Sequence, residues 1–216
     1  MLLHVKSVSG MPTLSIGSTQ GVPGATVPVA INYTTDTNAP ALQFDLWFGT
    51  NYLQWGGVIP GNALSDHLVA TNIISPGVLR VLILSFSNTA ISNGVLVTVP
   101  FLIASNSPDH DEFLTFSNVL VVDPQAEVVP SASTNGVLSI LVPPQFTSVT
   151  SAAGGAVHLQ LTATAGRTYV IQAATNIDLP QWQPIYTNIP GGAAFGFDDP
   201  LASAFPARFY RVLASP

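Results

Sequence analysis

Residues 41–61 carry the pattern that most constrains the fold of this chain. Every second side chain from Leu42 to Phe48 is apolar, and the positions between them hold Gln43, Asp45 and Trp47. Because successive side chains of an extended strand point to opposite faces, this alternation predicts a strand with one buried face. Turn residues follow at 49–51, and Pro60-Gly61 ends the segment. We expect a central strand of a β-sandwich here, with the other N-terminal strands packed around it.

The composition argues against a helix-rich fold. Charged residues make up only 7% of the chain, far below the usual level of about a quarter. Lys6 is the only lysine, and Glu112 and Glu127 are the only glutamates, so the residues that normally cover helix surfaces are nearly missing. The many Thr, Ser, Asn, Val and Gly residues favour strands joined by turns. An all-β fold is therefore predicted.

Turn signals divide the first 142 residues into about eight or nine predicted strands. These signals are Gly21–Gly24, Pro76-Gly77, Asn93-Gly94 and Asn135-Gly136. Pro28 lies inside an alternating run and predicts an edge strand or a bulge, because proline donates no N–H to a sheet. Residues 105–112 are predicted to form a polar loop. Short strands separated by turns are typical of a sandwich.

The chain is predicted to contain two modules. The part before residue 143 holds two basic and eight acidic residues, whereas the rest holds three of each. Residues 143–145 form a proline-rich linker, which is stiff because consecutive prolines favour an extended backbone. Residues 12–142 are then the first sandwich, and the alternating runs of residues 146–216 predict a smaller C-terminal β-sandwich. Residues 1–11 are expected to be a leader or added segment.

Several classes of function are disfavoured by composition. The chain has no cysteine, which excludes disulfides, thiolate catalysis and cysteine-ligated zinc. Its net charge of −6 argues against nucleic-acid binding, which needs clustered Lys and Arg to neutralise phosphates. No uninterrupted run of about 18 apolar residues occurs, so we expect no membrane insertion. Asp66-His67 is accompanied by no nucleophile motif, and we predict no catalytic residues and no enzyme activity.

Acidic residues are concentrated at 109–112. Asp109, Asp111 and Glu112, with His110 between them, are candidate calcium ligands, because carboxylate oxygens are what Ca²⁺ prefers. The segment lacks the glycine and the ligand spacing of a dedicated calcium loop. A solvated acidic loop without metal or any other cofactor is therefore the main expectation, and a Ca²⁺ site is the alternative.

Three aromatic residues lie on or near the organising strand. Trp47 is predicted to point away from the core, and Tyr52 and Trp55 follow a few residues later. Exposed aromatic rings stack on sugar rings and also anchor protein interfaces, so these three are candidate carbohydrate-stacking residues. The alternative is that Trp47 is covered by a loop or by the second module. Trp182 is assigned to the core of the smaller module.

Two parts of the chain resemble known families. The runs GVPGATVPVAINY, LQFDLWFGTNYLQWGGVIPG, GVLRVLILSFSN, NGVLVTVPFLIA and NGVLSIL resemble, in this order, a cohesin domain. That family is a jelly-roll module that binds dockerin modules in bacterial extracellular assemblies. The resemblance covers residues 12–142 and implies a partner-binding face on the outward side of the organising strand, which maps onto Gln43, Asp45 and Trp47.

The second resemblance concerns residues 146–216. The run GRTYVIQAATNIDLPQW and the later FDDPLASAFPARFYRV are similar to a small fibronectin-like β-sandwich at the C-termini of secreted proteins of Verrucomicrobia and related bacteria. An Asx-type turn is predicted at Asp198-Asp199, paired with Arg208 or Arg211. The resemblance implies no activity for this module.

The leading hypothesis is a non-catalytic binding module that is secreted or displayed on a bacterial cell surface. It would recognise a dockerin-type protein partner within a polysaccharide-degrading or cell-surface assembly. One rival is a carbohydrate-binding module on a similar jelly roll, which would bind polysaccharide through Trp47, Tyr52 or Trp55. The other rival is a structural spacer in a large secreted protein.

Overall fold

The computed structural model describes residues 10–215, and nearly all of their regular structure is β-strand. Contacts divide the chain into two compact units, residues 1–142 and 143–216. In the described part, the helical elements are two single 3₁₀ turns, Ala153–Gly155 and Ala202–Ala204. The predicted all-β fold is confirmed. Most of the predicted leader, residues 1–9, lies outside the described residues.

Within residues 10–142, the first unit contains thirteen strands: β1 (Thr13–Ile16), β2 (Thr19–Gly21), β3 (Thr26–Thr34), β4 (Ala41–Trp47), β5 (Leu53–Trp55), β6 (Ile59–Pro60), β7 (Leu68–Ser75), β8 (Val78–Leu84), β9 (Gly94–Ile103), β10 (His110–Val122), β11 (Val128–Val129), β12 (Ala132–Thr134) and β13 (Gly136–Ile140). They form two sheets. The smaller sheet has the order β12-β1-β3-β9-β5, with β6 also paired to β9. The larger sheet has the order β2-β13-β10-β4-β8-β7, with β11 paired to β10.

The organising strand β4 lies inside the larger sheet, between β8 and β10. Its apolar side chains Leu42, Phe44 and Leu46 are at most 2% exposed. They join one apolar core with inward side chains of the smaller sheet, among them Phe101. Aromatic rings pack edge to face in this core; the ring centroids of Phe48 and Phe101 are 5.0 Å apart. The prediction of a central strand with one buried face is therefore confirmed.

Pro28 was predicted to lie on an edge strand or at a bulge, and both are wrong: β3 lies between β1 and β9, and its register shift falls between Ile31 and Asn32. The register explains how the sheet accommodates this proline. Pro28 is opposite Pro100 of β9, and β1 pairs only with the other half of β3, from Ile31 to Thr34. The missing N–H of Pro28 therefore falls where β1 has ended, and no ladder hydrogen bond is lost.

The predicted polar loop at 105–112 is wrong in its last three residues. His110 to Glu112 begin β10, where Glu112 pairs with Leu138 of β13. The long strand β10 bends at a register shift between Ser117 and Leu120, where Asn118 has a positive φ of 48°. Asn tolerates this left-handed conformation better than most residues, which explains its use at the bulge.

Residues 143–215 form six strands: β14 (Phe146–Ser151), β15 (Val157–Thr162), β16 (Thr168–Ala174), β17 (Gln183–Asn188), β18 (Ala194–Asp199) and β19 (Phe209–Ser215). They make two three-stranded sheets, β14-β15-β18 and β17-β16-β19. Leu159 and Leu161 of the first sheet share one buried cluster with Tyr169 and Ile171 of the second. Two layers around one core are what a small sandwich requires.

The buried carboxylate of Asp199 connects the end of β18 to the segment that leads into β19. Asp199, only 2% exposed, accepts hydrogen bonds from Arg208 Nε and from the Tyr210 hydroxyl at 3.0 Å. Its other oxygen accepts the Leu201 N–H at 3.1 Å, which forms the predicted Asx turn. Burial and the neighbouring Asp199 raise the pKa of Tyr210 to about 12.

The position predicted for Trp182 is wrong. Its ring lies 4.6 Å beneath the guanidinium of Arg211 and takes no part in the buried cluster. Arg211 is itself held by a hydrogen bond from its Nε to the Gln172 side chain at 2.7 Å. The indole is therefore covered by a cation on the sheet surface.

Candidate binding face of the larger sheet

The side of the larger sheet that points away from the core is called the outer face here. Strand registers place its residues in four rows across β7, β8, β4 and β10. Each row names one residue from β7, β8, β4 and β10, in that order. The rows are Leu68-Leu84-Ala41-Val122, Ala70-Leu82-Gln43-Leu120, Asn72-Arg80-Asp45-Ser117 and Ser75-Val78-Trp47-Thr115. The first two rows are almost wholly apolar, whereas the last two hold the ions, the hydroxyls and the indole.

The apolar rows are open to solvent. Leu68 is 48% exposed and Leu120 is 45% exposed, and they lie at opposite sides of the face. Phe113 extends the face along β10, two residues beyond Thr115, and is 67% exposed. Isolated exposed apolar residues are ordinary, but a contiguous set on a rigid sheet marks an interaction surface.

Asp45 occupies the centre of the outer face and is only 1% exposed. Arg80 donates to both of its oxygens, from Nε to Oδ1 at 2.7 Å and from Nη2 to Oδ2 at 2.8 Å. Asn118 Nδ2 donates to Oδ2 at 2.5 Å. The Arg80 guanidinium, aided by Asn118 and opposed by burial, holds the pKa of the Asp45 carboxyl below its ordinary value.

This pairing changes which group the face offers to a partner. The Arg80 side chain is 38% exposed, so its guanidinium is the accessible member of the pair. The Asp45 carboxylate is occupied on both oxygens and lies beneath the surface. Arg80 and Asn118 were missed in the sequence because their link to Asp45 depends on strand register. The one visible signal was a single arginine inside the apolar run VLRVLIL.

Trp47 is exposed rather than covered by a loop. Its side chain retains 49% exposure, and its Nε1 donates a hydrogen bond to Ser117 Oγ at 2.7 Å across the strand pair. This bond fixes the orientation of the ring, so the indole presents a rigid apolar surface. Gln43 lies half-buried two rows away, between Leu82 and Leu120.

Tyr52 and Trp55 lie on the other sheet. Trp55 belongs to β5 and pairs with Phe101 of β9, and Tyr52 precedes β5 directly. Both are half-buried against the core, and Tyr52 meets the His110 ring edge-to-face at 5.0 Å. The three aromatic residues therefore do not form a single stacking platform.

The structure separates the candidate calcium ligands. Asp109 accepts the Val142 N–H at 3.1 Å, and Glu112 lies 2.9 Å from His110 Nε2. Asp111 and Glu112 are neighbours in a strand, so they point to opposite faces of the sheet. No group of three or more His, Cys, Asp or Glu residues with metal-binding geometry occurs within residues 10–215.

Asp66 and His67 have local structural contacts. The hydroxyls of Ser87 and Thr89 donate to the Asp66 carboxylate, and His67 Nε2 lies 3.1 Å from the Thr89 carbonyl oxygen. Both residues thus connect the segment before β7 to the loop after β8. In the part of the chain that is described, no helix has the length and apolar content needed to cross a membrane.

A family model for the cohesin domain matches residues 12–140, more than half of the chain. The chain belongs to the cohesin family. The resemblance seen in the first module is confirmed, and this cohesin domain supplies the outer face described above. The resemblance of residues 146–216 to a verrucomicrobial C-terminal module stays a prediction.

Solved structures of several cohesins share this fold. The sixth cohesin of scaffoldin B from Acetivibrio cellulolyticus, solved with a mutant dockerin, is 20% identical with a TM-score of 0.57, covering 61% of this chain and 100% of that chain. A cohesin from Clostridium acetobutylicum is 23% identical with a TM-score of 0.54, covering 61% and 92%. A non-cellulosomal cohesin from the archaeon Archaeoglobus fulgidus is 20% identical with a TM-score of 0.55, covering 61% and 92%. No curated protein matches the chain.

Proposed function

We propose that this cohesin domain binds a dockerin-type protein module through its outer face. Cohesin domains are non-catalytic binding modules, and several similar cohesins were solved in complexes with dockerins. The observation that carries the proposal for this chain is a face that holds two open apolar rows, then the row with the Arg80 guanidinium, and then the exposed, fixed Trp47. Open apolar surface flanked by polar groups is typical of a protein-binding surface.

Each residue of the predicted partner site has a distinct role in this proposal. Trp47 contacts the partner with its exposed ring, and Gln43 offers its amide from within the second apolar row, between Leu82 and Leu120. Asp45 acts indirectly, since it holds Arg80 in place and has no free oxygen for a partner. Arg80 then presents its remaining donors to a carboxylate or carbonyl oxygen of the partner.

The outer face is well suited to binding with a small entropic cost. Its residues lie on four paired strands, and Trp47 and Arg80 already have hydrogen-bond partners within the sheet. Little side-chain freedom is therefore lost when a partner binds. A partner helix with an apolar stripe matches the rows that contain Leu68 and Leu120, with a polar edge turned toward Arg80.

The proposed setting is a bacterial secreted or cell-surface assembly. Dockerin binding is useful where proteins are joined outside the cell. In this setting the domain would attach a dockerin-bearing protein to the polypeptide that carries it.

Replacing Trp47 by Ala tests the proposal. The purified chain is used in a pull-down and in calorimetry with dockerin-bearing proteins encoded by the same genome. Loss of a central aromatic contact costs about 2 kcal/mol, so we expect affinity to fall about thirtyfold. Trp182→Ala is the matched control, because it removes an indole from the second unit. Equal melting temperatures show that both variants fold.

The outcomes separate the rival functions. Dockerin binding that survives Trp47→Ala unchanged contradicts the role of the outer face. If no dockerin binds even the unaltered chain, but Trp47→Ala abolishes retention on a polysaccharide, the carbohydrate-binding alternative replaces the proposal. If the chain binds neither a dockerin nor a polysaccharide, the structural-spacer hypothesis replaces the proposal.

A further inference from the structure

The eight-residue strand β7 forms one end of the larger sheet, and within residues 10–142 no strand pairs with its other side. The strands at the remaining ends of the two sheets, β2, β5 and β12, have only three residues each. Proteins usually keep edge strands short, because an exposed strand edge pairs readily with another strand. In the described part of the first unit, β7 is therefore the longest open sheet edge.

The sequence of β7, LVATNIIS, lacks the features that normally block strand pairing. It contains no charged residue and no proline, which are the usual protection of a long edge. Its large apolar side chains Leu68, Ile73 and Ile74 are all exposed. A register shift against β8 falls only at the end of the strand, between Ile73 and Ser75. Strand β7 is thus regular and mostly apolar over the length that a pairing strand would need.

The hydrogen bonds of the larger sheet show which backbone groups of β7 are used. Beside β4, the Phe48 N–H donates to the Gly77 carbonyl oxygen at 2.9 Å, and the Ser85 N–H donates to the Pro40 carbonyl oxygen at 3.0 Å. Backbone bonds of an antiparallel pair involve every second residue. Given the register of β4 and β8, the odd-numbered residues of β8 therefore bond to β4, and its even-numbered residues bond to β7.

The backbone groups of alternate residues of β7 are left without a strand partner. The even-numbered residues of β8 pair with residues 68, 70 and 72 of β7, which use their N–H and C=O groups inside the sheet. The residues between them, Val69, Thr71 and Ile73, direct their N–H and C=O groups away from β8. These three residues are called the free edge here. A regular ladder of donors and acceptors of this kind matches another β-strand.

A second copy of β7 satisfies the free edge in one antiparallel register. When Thr71 lies opposite Thr71 of the second copy, Val69 lies opposite Ile73 on both sides of the two-fold axis. Each of these residue pairs exchanges two backbone hydrogen bonds, so every N–H of the free edge finds a C=O. Cross-strand Thr–Thr pairs and pairs of β-branched residues are also favourable. The sequence of the free edge is therefore complementary to itself.

The exposed apolar residues and the charges fit the same register. It brings Leu68 next to Ile74 of the second copy, so both side chains lose contact with water. Asp66, two residues before β7, would face position 76 of the second copy and would lie far from its counterpart. A parallel register would instead place two Asp66 carboxylates side by side, which is unfavourable. Two chains that each carry a net charge of −6 need such an uncharged contact.

We propose that two copies of this chain pair through β7 in an antiparallel dimer with two-fold symmetry. A two-fold contact uses the same surface of both copies, so assembly ends at two chains. The axis runs through the Thr71 pair perpendicular to the sheets, and the two outer faces therefore point in the same direction. The proposal does not depend on dockerin binding. Where both hold, the dimer presents two dockerin sites side by side.

Sedimentation velocity of the full chain from about 1 µM to about 200 µM tests this inference, and we expect dimers to increase with concentration. Thr71→Lys and Thr71→Asp each place like charges opposite one another at the axis. Each variant alone should dimerise at least about tenfold more weakly. An equimolar mixture of the two should recover a dimer, because Lys and Asp then face each other. Thr134→Lys is the matched control, since Thr134 is an exposed threonine of the edge strand β12.

Thr71→Pro provides a second test that does not depend on charge. The Thr71 N–H is not used inside the sheet, so this variant should keep its melting temperature and lose the dimer. A chain that stays monomeric at every concentration overturns the proposal. Dimerisation that is unchanged in Thr71→Lys, or a mixture of the charged variants that stays monomeric, also overturns it. Oligomers larger than two chains contradict the two-fold contact.

Two further measurements separate this proposal from dockerin binding. Trp47→Ala should dimerise like the unaltered chain, and loss of the dimer in this variant would move the contact to the outer face. Dimerisation is measured without any dockerin, so it stands or falls independently of the proposed function. Dockerin pull-down by monomeric Thr71→Lys then tests the outer face alone.

Discussion

Replacing Asp45 by Asn tests the arrangement at the centre of the outer face. The carboxylate accepts three hydrogen bonds, one at Oδ1 and two at Oδ2. An Asn side chain that places its oxygen at the Oδ2 position keeps the two bonds made there, from Arg80 Nη2 and Asn118 Nδ2. Its amino group then faces the Nε–H of Arg80, so two donors meet where a charge-assisted bond existed.

The size of the effect follows from these contacts. A hydrogen bond to a charged group contributes about 1.5–3 kcal/mol. The Arg80 side chain is 38% exposed, so water replaces part of the lost interaction and the lower value applies. We expect the free energy of unfolding of the first unit to fall by about 1.5 kcal/mol. For a unit of this size the melting temperature should fall by about 5 °C.

The pH dependence gives the reasoning a second test. The pKa of Asp45 is lower in the folded than in the unfolded chain. Its stabilising contribution is therefore present above the unfolded pKa and is lost as the pH falls through the folded value. The stability gap between the native chain and Asp45→Asn should be full at neutral pH and should shrink below about pH 4.

Urea unfolding followed by circular dichroism at pH 7 and pH 3 measures both quantities. Asp111→Asn is the matched control, because it removes an exposed carboxylate of β10 and should leave the stability at pH 7 unchanged. Equal stability of Asp45→Asn and the native chain at pH 7 would refute the reasoning. A gap that persists in full at pH 3 would refute the assignment to a carboxylate.

Three further changes test other parts of the fold. Gly61→Ala should lower the free energy of unfolding by about 2 kcal/mol, because the added Cβ would lie 2.1 Å from the Val95 carbonyl oxygen. Gly191→Ala is its control: position 191 has open space around it, so the free energy of unfolding should change by less than about 0.5 kcal/mol. Tyr210→Phe should cost about 1 kcal/mol through the lost bond to Asp199, and an absorbance titration should lose the tyrosine that ionises near pH 12. Since the raised pKa belongs to the folded state, this stabilisation is full below the unfolded tyrosine pKa and disappears as the pH rises through the folded one. Adding CaCl₂ or EDTA should leave the melting temperature unchanged, because the acidic residues at the start of β10 do not converge; a rise with Ca²⁺ would contradict this.

Patterns that depend on neighbours in the chain were predicted correctly. The alternation from Leu42 to Phe48 placed β4 and its buried face, and the turn at Pro76-Gly77 joins β7 to β8. Both depend on side-chain direction and backbone preference over a few residues. These are local properties that sequence alone determines.

Predictions failed where pairing partners are distant in sequence. Pro28 was placed on an edge strand or at a bulge because its partner strands were unknown, and His110 was placed in a loop because its charged neighbours hid the pairing with β13. The separation of Trp47 from Trp55 likewise depends on which sheet each strand joins. An alternation of apolar and polar residues shows which face of a strand is buried, but it does not show which other strand pairs with it.

The sequence by itself thus determined an all-β chain and the buried side of its organising strand, since these depend on local alternation and turn residues, and the resemblance of its runs to a known family indicated a cohesin domain. Only the tertiary structure decided that Asp45 is buried and that Arg80 is the exposed ion of the outer face. Those two residues are 35 positions apart, and Asn118 is 73 positions from Asp45. The physical reason is that a carboxylate becomes stable inside a sheet only when strand register brings its donors within hydrogen-bonding distance.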